Sequence, residues 1–185
     1  MPVADLARAA AVLAGADSAA AAVVLAVAAH RGDGEMNLRR LLTHLLIPKW
    51  LAHRVFRAAD LTAIEAAVKT SEKTHCGELR FIIEGPLPFP VLWRDLPVRA
   101  RAAQLFAQTG VWDTAGNSGI LIYVQLVDHR VEILADRGIA HHVPQAEWDV
   151  ICRGMEEAFR LKAYRRGALE AIARVGDLLA RHFPA

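Results

Sequence analysis

The stretch WDTAGNSGILIYVQLVDHRVEILADRGI, residues 112–139, decides the architecture. Gly116-Asn117-Ser118-Gly119 reads as a chain reversal, because glycine tolerates a positive φ and short polar side chains bond to nearby backbone. From Gly119 to Val127 the side chains are apolar almost throughout, the pattern of a central strand covered on both faces. Asp128-His129 then reads as a tight hairpin turn, and Arg130 to Ala135 as the returning strand.

Outward from this hairpin the pattern turns helical. Upstream, Asp60 reads as an N-cap, with Thr62 and Glu65 in capping-box spacing and Leu61, Ile64 and Val68 on one face of a helix that stops at Gly77. Leu79 to Glu84 is a short apolar strand with Arg80 inside it. Gly85, Pro86, Pro88, Pro90 and Pro97 follow, a connection in which the prolines are expected to forbid regular structure. A second helix runs from about Val98 to Gln108. Downstream, Pro144 opens a helix that turns Trp148, Ile151, Cys152, Met155 and Phe159 inward. The last helix buries Tyr164, Leu169, Ile172, Val175 and Leu179. Helix, strand, helix, two strands and two helices predict an α/β class in three layers, a sheet flanked by helices. The pattern leaves the strand order open.

The composition supports one globular domain. Across 185 residues, 54% are hydrophobic and 23% charged, enough for a buried core and against intrinsic disorder. Two cysteines exclude a disulfide scaffold and a four-cysteine zinc site. A net charge of +2 is too balanced to imply nucleic acid as a partner.

The N-terminal region differs in character. Residues 1–35 are alanine-rich; Ala9 to Ala29 is long enough to span a bilayer, but Asp17 sits mid-span and alanine barely favours insertion. Asp5 and Arg8 cancel, so the basic start of a signal peptide is missing and a cytoplasmic location is expected. Composition changes at Met36, where translation is expected to begin, leaving residues 1–35 as an upstream extension. Residues 36–57 carry Arg39, Arg40, Lys49, Arg54 and Arg57 with no acidic residue. Leu38, Leu41, Leu42, Leu45 and Leu46 recur at helical spacing, forming an amphipathic helix that Pro48 ends. One reading makes Arg39, Arg40, Arg54 and Arg57 a docking surface for an anionic membrane or a partner. The other packs the leucines on the domain, residues 58–184, and leaves the arginines in water.

Signatures of the common enzyme classes are missing: there is no GxGxxG after a strand, no P-loop, no GxSxG and no HExxH. Cys76 reads as a surface thiol and Cys152 as core. His141-His142 lacks the spacing of a closed zinc site. Oxygen-bearing side chains gather instead at chain reversals: Asp113, Thr114, Asn117 and Ser118 before one strand, Asp128 at the hairpin, and Asp136 after the next strand. Such oxygens suit Ca2+ or Mg2+, although turn chemistry selects the same residue types.

The run from Trp112 to Tyr123, followed by Asp128 to Ile139, resembles the TPM-domain family. Ile64-Glu65 through Ser71-Glu72 to Gly77-Glu78-Leu79-Arg80 resembles the start of that domain; Met155-Glu156 through Phe159 to Tyr164, and His182-Phe183-Pro184, resemble its end. The resemblance implies a three-layer α/β/α sandwich with a small mixed sheet and the motif at its loop edge. It further implies divalent-cation binding, a phosphatase activity in some members, and upkeep or assembly of membrane protein complexes. Members usually carry two consecutive acidic or amide residues before the motif glycine, where this chain has Asn117-Ser118; serine is a weaker ligand than aspartate. The expectation is therefore an accessory module with a cation at the loop edge, held by Asp113, Asn117, Ser118 and Asp136 with Asp128 in reserve. The alternative is a metal-dependent phosphatase in which Asp113, Asn117 and Asp136 hold the cation.

Overall fold

The structure, a computed structural model, describes residues 38–48, 50 and 54–185. The expectations for residues 1–35 lie outside the described residues. Among the described residues, seven helices and three strands follow in order: α1 (Leu38–Leu46), α2 (Ala58–Ser71), β1 (Leu79–Glu84), α3 (Phe89–Trp93), α4 (Val98–Gln108), β2 (Ile120–Gln125), β3 (Arg130–Ala135), α5 (Arg137–His142), α6 (Gln145–Arg160) and α7 (Tyr164–His182).

The sheet order is β1-β2-β3, with β1 parallel and β3 antiparallel to the central β2. Every residue of β2 is buried, as its continuous apolar run requires. Alternation divides it between two cores. Ile120, Ile122 and Val124 pack with Val131 and Ile133 against α2, α6 and α7, reaching Ile64, Trp148, Met155, Ile172 and Leu179. Leu121 and Tyr123 point the other way, onto Ala102 of α4 with Val98, Leu105 and Phe106 around it. Helices on both faces of a mixed sheet make the three expected layers. The small pair α1 and α3 closes one end through Leu41, Leu87 and Leu92.

Several boundaries differ from expectation for identifiable reasons. Helix α2 starts three residues early, at Ala58 with Arg57 as its N-cap, since two alanines extend it cheaply, so Asp60 is not the N-cap. Its carboxylate instead accepts from the N–H of Arg57, while Thr62 bonds back to the Ala58 carbonyl and Glu65 pairs with Lys69. The same helix ends at Ser71, short of Gly77. The proline-rich connection does hold regular structure: Pro88 precedes α3 and Pro90 falls in its first turn, where the missing N–H costs nothing. Asp136 caps a short α5, making three helices after the sheet rather than two. The hairpin is wider than two residues, because Gln125 pairs with Arg130 and leaves residues 126–129 as the loop. The fully buried Gln125 side chain accepts from the N–H of Val127 at 2.7 Å, replacing ladder bonds, and His129 takes a left-handed φ of 52°.

Candidate functional site

Two ends of the sheet have opposite characters. At the end where β2 and β3 are joined, the expected reserve ligand Asp128 is fully engaged. Arg40 donates from Nε to both carboxylate oxygens at 3.2 Å and from Nη2 to Oδ2 at 2.8 Å, and also reaches Asp95 and the Leu96 carbonyl. His44, with no side-chain exposure, accepts the Leu87 N–H on Nδ1, so Nε2 carries the proton it donates to Asp128 at 3.1 Å. Burial alone would push the Asp128 carboxyl up; the His44 and Arg40 hydrogen bonds with the Arg40 charge hold it down at about 2. A six-residue strand, roughly 20 Å, separates Asp128 from Asp136, so the structure does not bring them together. Arg40 likewise faces inward rather than outward with Arg39, Arg54 and Arg57, because it locks α1 onto the domain.

On the α4 side of that end, Glu84 accepts from Arg101 at 2.7 Å and from the Tyr123 hydroxyl at 2.6 Å, and burial raises the Tyr123 hydroxyl well above its usual range.

The opposite end of the sheet, the loop edge, gathers the remaining sequence-predicted residues. The chain after α4 makes a turn in which the Ser118 N–H donates to the Thr114 hydroxyl at 2.8 Å and Asn117 adopts a left-handed φ of 49°. Asn117 offers its carbonyl to the N–H groups of Gly138 and Ile139, which fastens the turn to the start of α5. A side chain at Gly138 would collide with the backbone oxygens of Gly116 and Asn117; one at Gly119 would collide with the Val111 carbonyl. Asp136, opposite Gly119, donates its N–H to the Gly119 carbonyl at 2.8 Å, and its Oδ1 accepts the Arg137 N–H at 2.7 Å. Asp136 Oδ2 and the Ser118 hydroxyl are both buried without a hydrogen-bond partner. Asp113 is exposed and Asn117 half-buried on the same edge.

This donor set fits a hard cation in chemistry, since carboxylate, amide, hydroxyl and backbone oxygens are what Ca2+ and Mg2+ take. It is lean in charge: among the described residues no cluster of three or more His, Cys, Asp or Glu forms a metal-binding group. Neighbouring aromatics wall the edge. The His142 and His182 rings stack at 5.1 Å, with Phe183 edge-on to His142 and against Gly116. His142 therefore serves packing, while His141 is exposed. The C-terminus is tied down as well, with Cys76 donating its N–H to the Phe183 carbonyl and His75 bridging to Pro184. Cys76 is exposed; burial raises the Cys152 thiol to about 12, which leaves it inert.

Sequence reasoning missed a second basic cluster. Lys162, Arg165 and Arg166 meet Arg54 and Arg57 around a groove beside the starts of α2 and α7. The signal was present in the run RLKAYRR, residues 160–166, which holds four cations and no acid.

The fold and the loop edge define a class: a small three-layer α/β/α domain whose polar motif turn meets the end of a central strand. The chain belongs to the TPM-domain family, whose model matches residues 52–178, more than half of its length. A search of curated proteins finds no match. Among solved structures it is similar to the BA42 protein of the psychrophilic bacterium Bizionia argentinensis, at 27% identity and a TM-score of 0.61, over 70% of this chain and 84% of that one. No helix among the described residues is long and apolar enough to cross a membrane.

Proposed function

We propose that this chain is an accessory module that holds Ca2+ or Mg2+ at its loop edge and docks onto a membrane protein complex. One observation carries the cation reading: Asp136 Oδ2 and Ser118 Oγ are buried and unpartnered at the same edge. A buried carboxylate oxygen without a donor costs several kcal/mol, on the order of 1–3 or more, which a coordinated cation would recover. Asp136 and Asp113 would supply its charge, and Asn117, Ser118 and backbone carbonyls would complete the oxygen set. A bound cation would supply local positive charge that fastens the motif turn to α5. The accessory role fits the site's makeup, since the loop edge pairs no nucleophile with a general base. The basic segment of Arg39, Arg54 and Arg57 supplies the docking charge.

Calorimetric titration of the full chain with Ca2+ and with Mg2+, alongside its melting temperature, tests the proposal. Saturable binding that raises the melting temperature and disappears in Asp136→Asn is expected, because a ligand of the native state alone must stabilise it. No heat and no shift at millimolar cation would overturn it. Hydrolysis of a phosphomonoester that depends on the added cation and vanishes with Asp136→Asn would replace the accessory role with metal-assisted phosphatase chemistry.

A further inference from the structure

The basic groove lies at the other end of the molecule from the loop edge. Its volume is about 770 Å³, and five cationic side chains, Arg54, Arg57, Lys162, Arg165 and Arg166, face only two carboxylates, Asp60 and Glu170. The whole chain carries +2, so positive charge is concentrated here beyond the molecular average. Among the described residues, Arg57, Lys162, Arg165 and Arg166 form no ion pair, and all are exposed. Helices α2 and α7 pack on each other and both begin in this groove, so their positive dipole ends add to the same field. The aromatic cluster of Phe56, Phe159 and Tyr164, with ring centroids 5.3–5.9 Å apart, holds the two starts together from beneath.

An apolar projection stands beside this charge. Helix α6 ends at Arg160 and α7 begins at Tyr164, so Leu161 sits at a turn tip. At 69% exposure it is the most exposed large hydrophobic side chain among the described residues, and it is flanked by Arg160 and Lys162. Trp50, also more than half exposed, lies under the Arg54 guanidinium at 5.5 Å.

We infer that this end of the molecule is a docking face for an anionic lipid bilayer. The groove cations meet the headgroup phosphates, and Leu161 and Trp50 enter the interfacial layer. An acidic protein segment would satisfy the cations equally but would leave Leu161 in water. A bilayer satisfies both, which is how peripheral proteins divide binding between charge and apolar insertion. The inference rests on the docking reading for Arg54 and Arg57, replaces the inward-facing Arg40, and moves the centre of contact to the α6–α7 turn.

Co-sedimentation of the full chain with vesicles tests it, comparing mixed phosphatidylglycerol and phosphatidylcholine with phosphatidylcholine alone. Binding is expected only to the anionic vesicles and is expected to fall with salt. Arg165→Gln with Arg166→Gln should weaken it roughly 25-fold, about fivefold for each charge lost at the surface. Leu161→Ser should weaken it several-fold without changing the salt dependence. All three side chains are exposed, and unchanged melting temperatures would confirm intact folds. Anionic-vesicle binding that survives both variants but is lost in Arg39→Gln would overturn the groove inference while leaving docking through the N-terminal segment standing. Indifference to every vesicle would overturn both. Vesicle indifference with tight binding of polyglutamate, or of inorganic phosphate, would reassign the groove to an acidic partner or a soluble phosphate.

Discussion

At the residue scale, one glycine decides whether the motif turn can lie against α5. Gly138 leaves no room for a methyl group because the neighbours are backbone oxygens of Gly116 and Asn117, which the surrounding hydrogen bonds hold in place. Gly138→Ala is expected to destabilise the protein by about 1–3 kcal/mol, the range for forced overpacking, in urea denaturation. Gly154 is the contrasting case: it lies in α6, exposed, with nothing within 4 Å of an added Cβ. Gly154→Ala is expected to stabilise by roughly 0.5–1 kcal/mol through helix propensity. A neutral Gly138→Ala would mean that the turn and α5 are not rigidly joined. The sequence showed a Gly-Asn-Ser-Gly reversal at residues 116–119 but not what Gly138 touches, because its neighbour lies 22 residues back in the chain and local spacing carries no trace of it.

At the scale of elements, α1 shows why a charge run is ambiguous in sequence. Arg39 and Arg40 are adjacent and chemically identical, yet one is exposed and the other bonds to Asp128, Asp95 and the Leu96 carbonyl. Arg40 and His44 share a helical face at i, i+4 spacing with Leu41 nearby, and that face turns inward. Their common partner Asp128 is 88 and 84 residues away, beyond the reach of pattern reading. This anchor predicts a pH dependence. The folded Asp128 carboxyl sits near 2 against an ordinary value of 3.8. A depressed acid stabilises above its unfolded value, and the contribution is lost as pH falls through the folded one. The anchor is therefore expected to contribute about 2 kcal/mol above pH 4 and to lose it between about pH 4 and 2. Asp128→Asn should be less stable than the parent at neutral pH and should converge toward it near pH 2, in denaturation followed by far-ultraviolet circular dichroism. Curves that remain parallel down to pH 2 would show that the Arg40 and His44 contacts do not set the carboxyl's affinity for protons.

At the scale of the whole molecule, what the sequence revealed and what it hid divide along the sheet. The almost wholly apolar run of β2 announced a central strand, and three layers followed from helices on either side of it; the order β1-β2-β3 did not, since nothing in the composition of β1 says which side of β2 it takes. The candidate site was legible as a set of residue types but not as a place, because only the fold separates Asp128 at one end from Asp136 at the other. That separation carries the last prediction. Helix α7 spans the distance between the two sites, with Tyr164 in the basic groove and His182 beside the loop edge, about 28 Å over 19 residues. Between the ends lies one packed core in which Ile120, Ile122, Ile172, Val175 and Leu179 are almost wholly buried. Coupling two distant sites requires an element with two arrangements, and a close-packed helix of this kind offers one. The two ends are therefore expected to act independently. Asp136→Asn should leave anionic-vesicle binding within about twofold of the parent, and Arg165→Gln with Arg166→Gln should leave calorimetric cation affinity within the same margin, as distant sites do when they add. A vesicle affinity that changes with Asp136→Asn would show that the loop edge reaches the groove through α7, and would make cation binding a regulator of docking rather than a separate property of the fold.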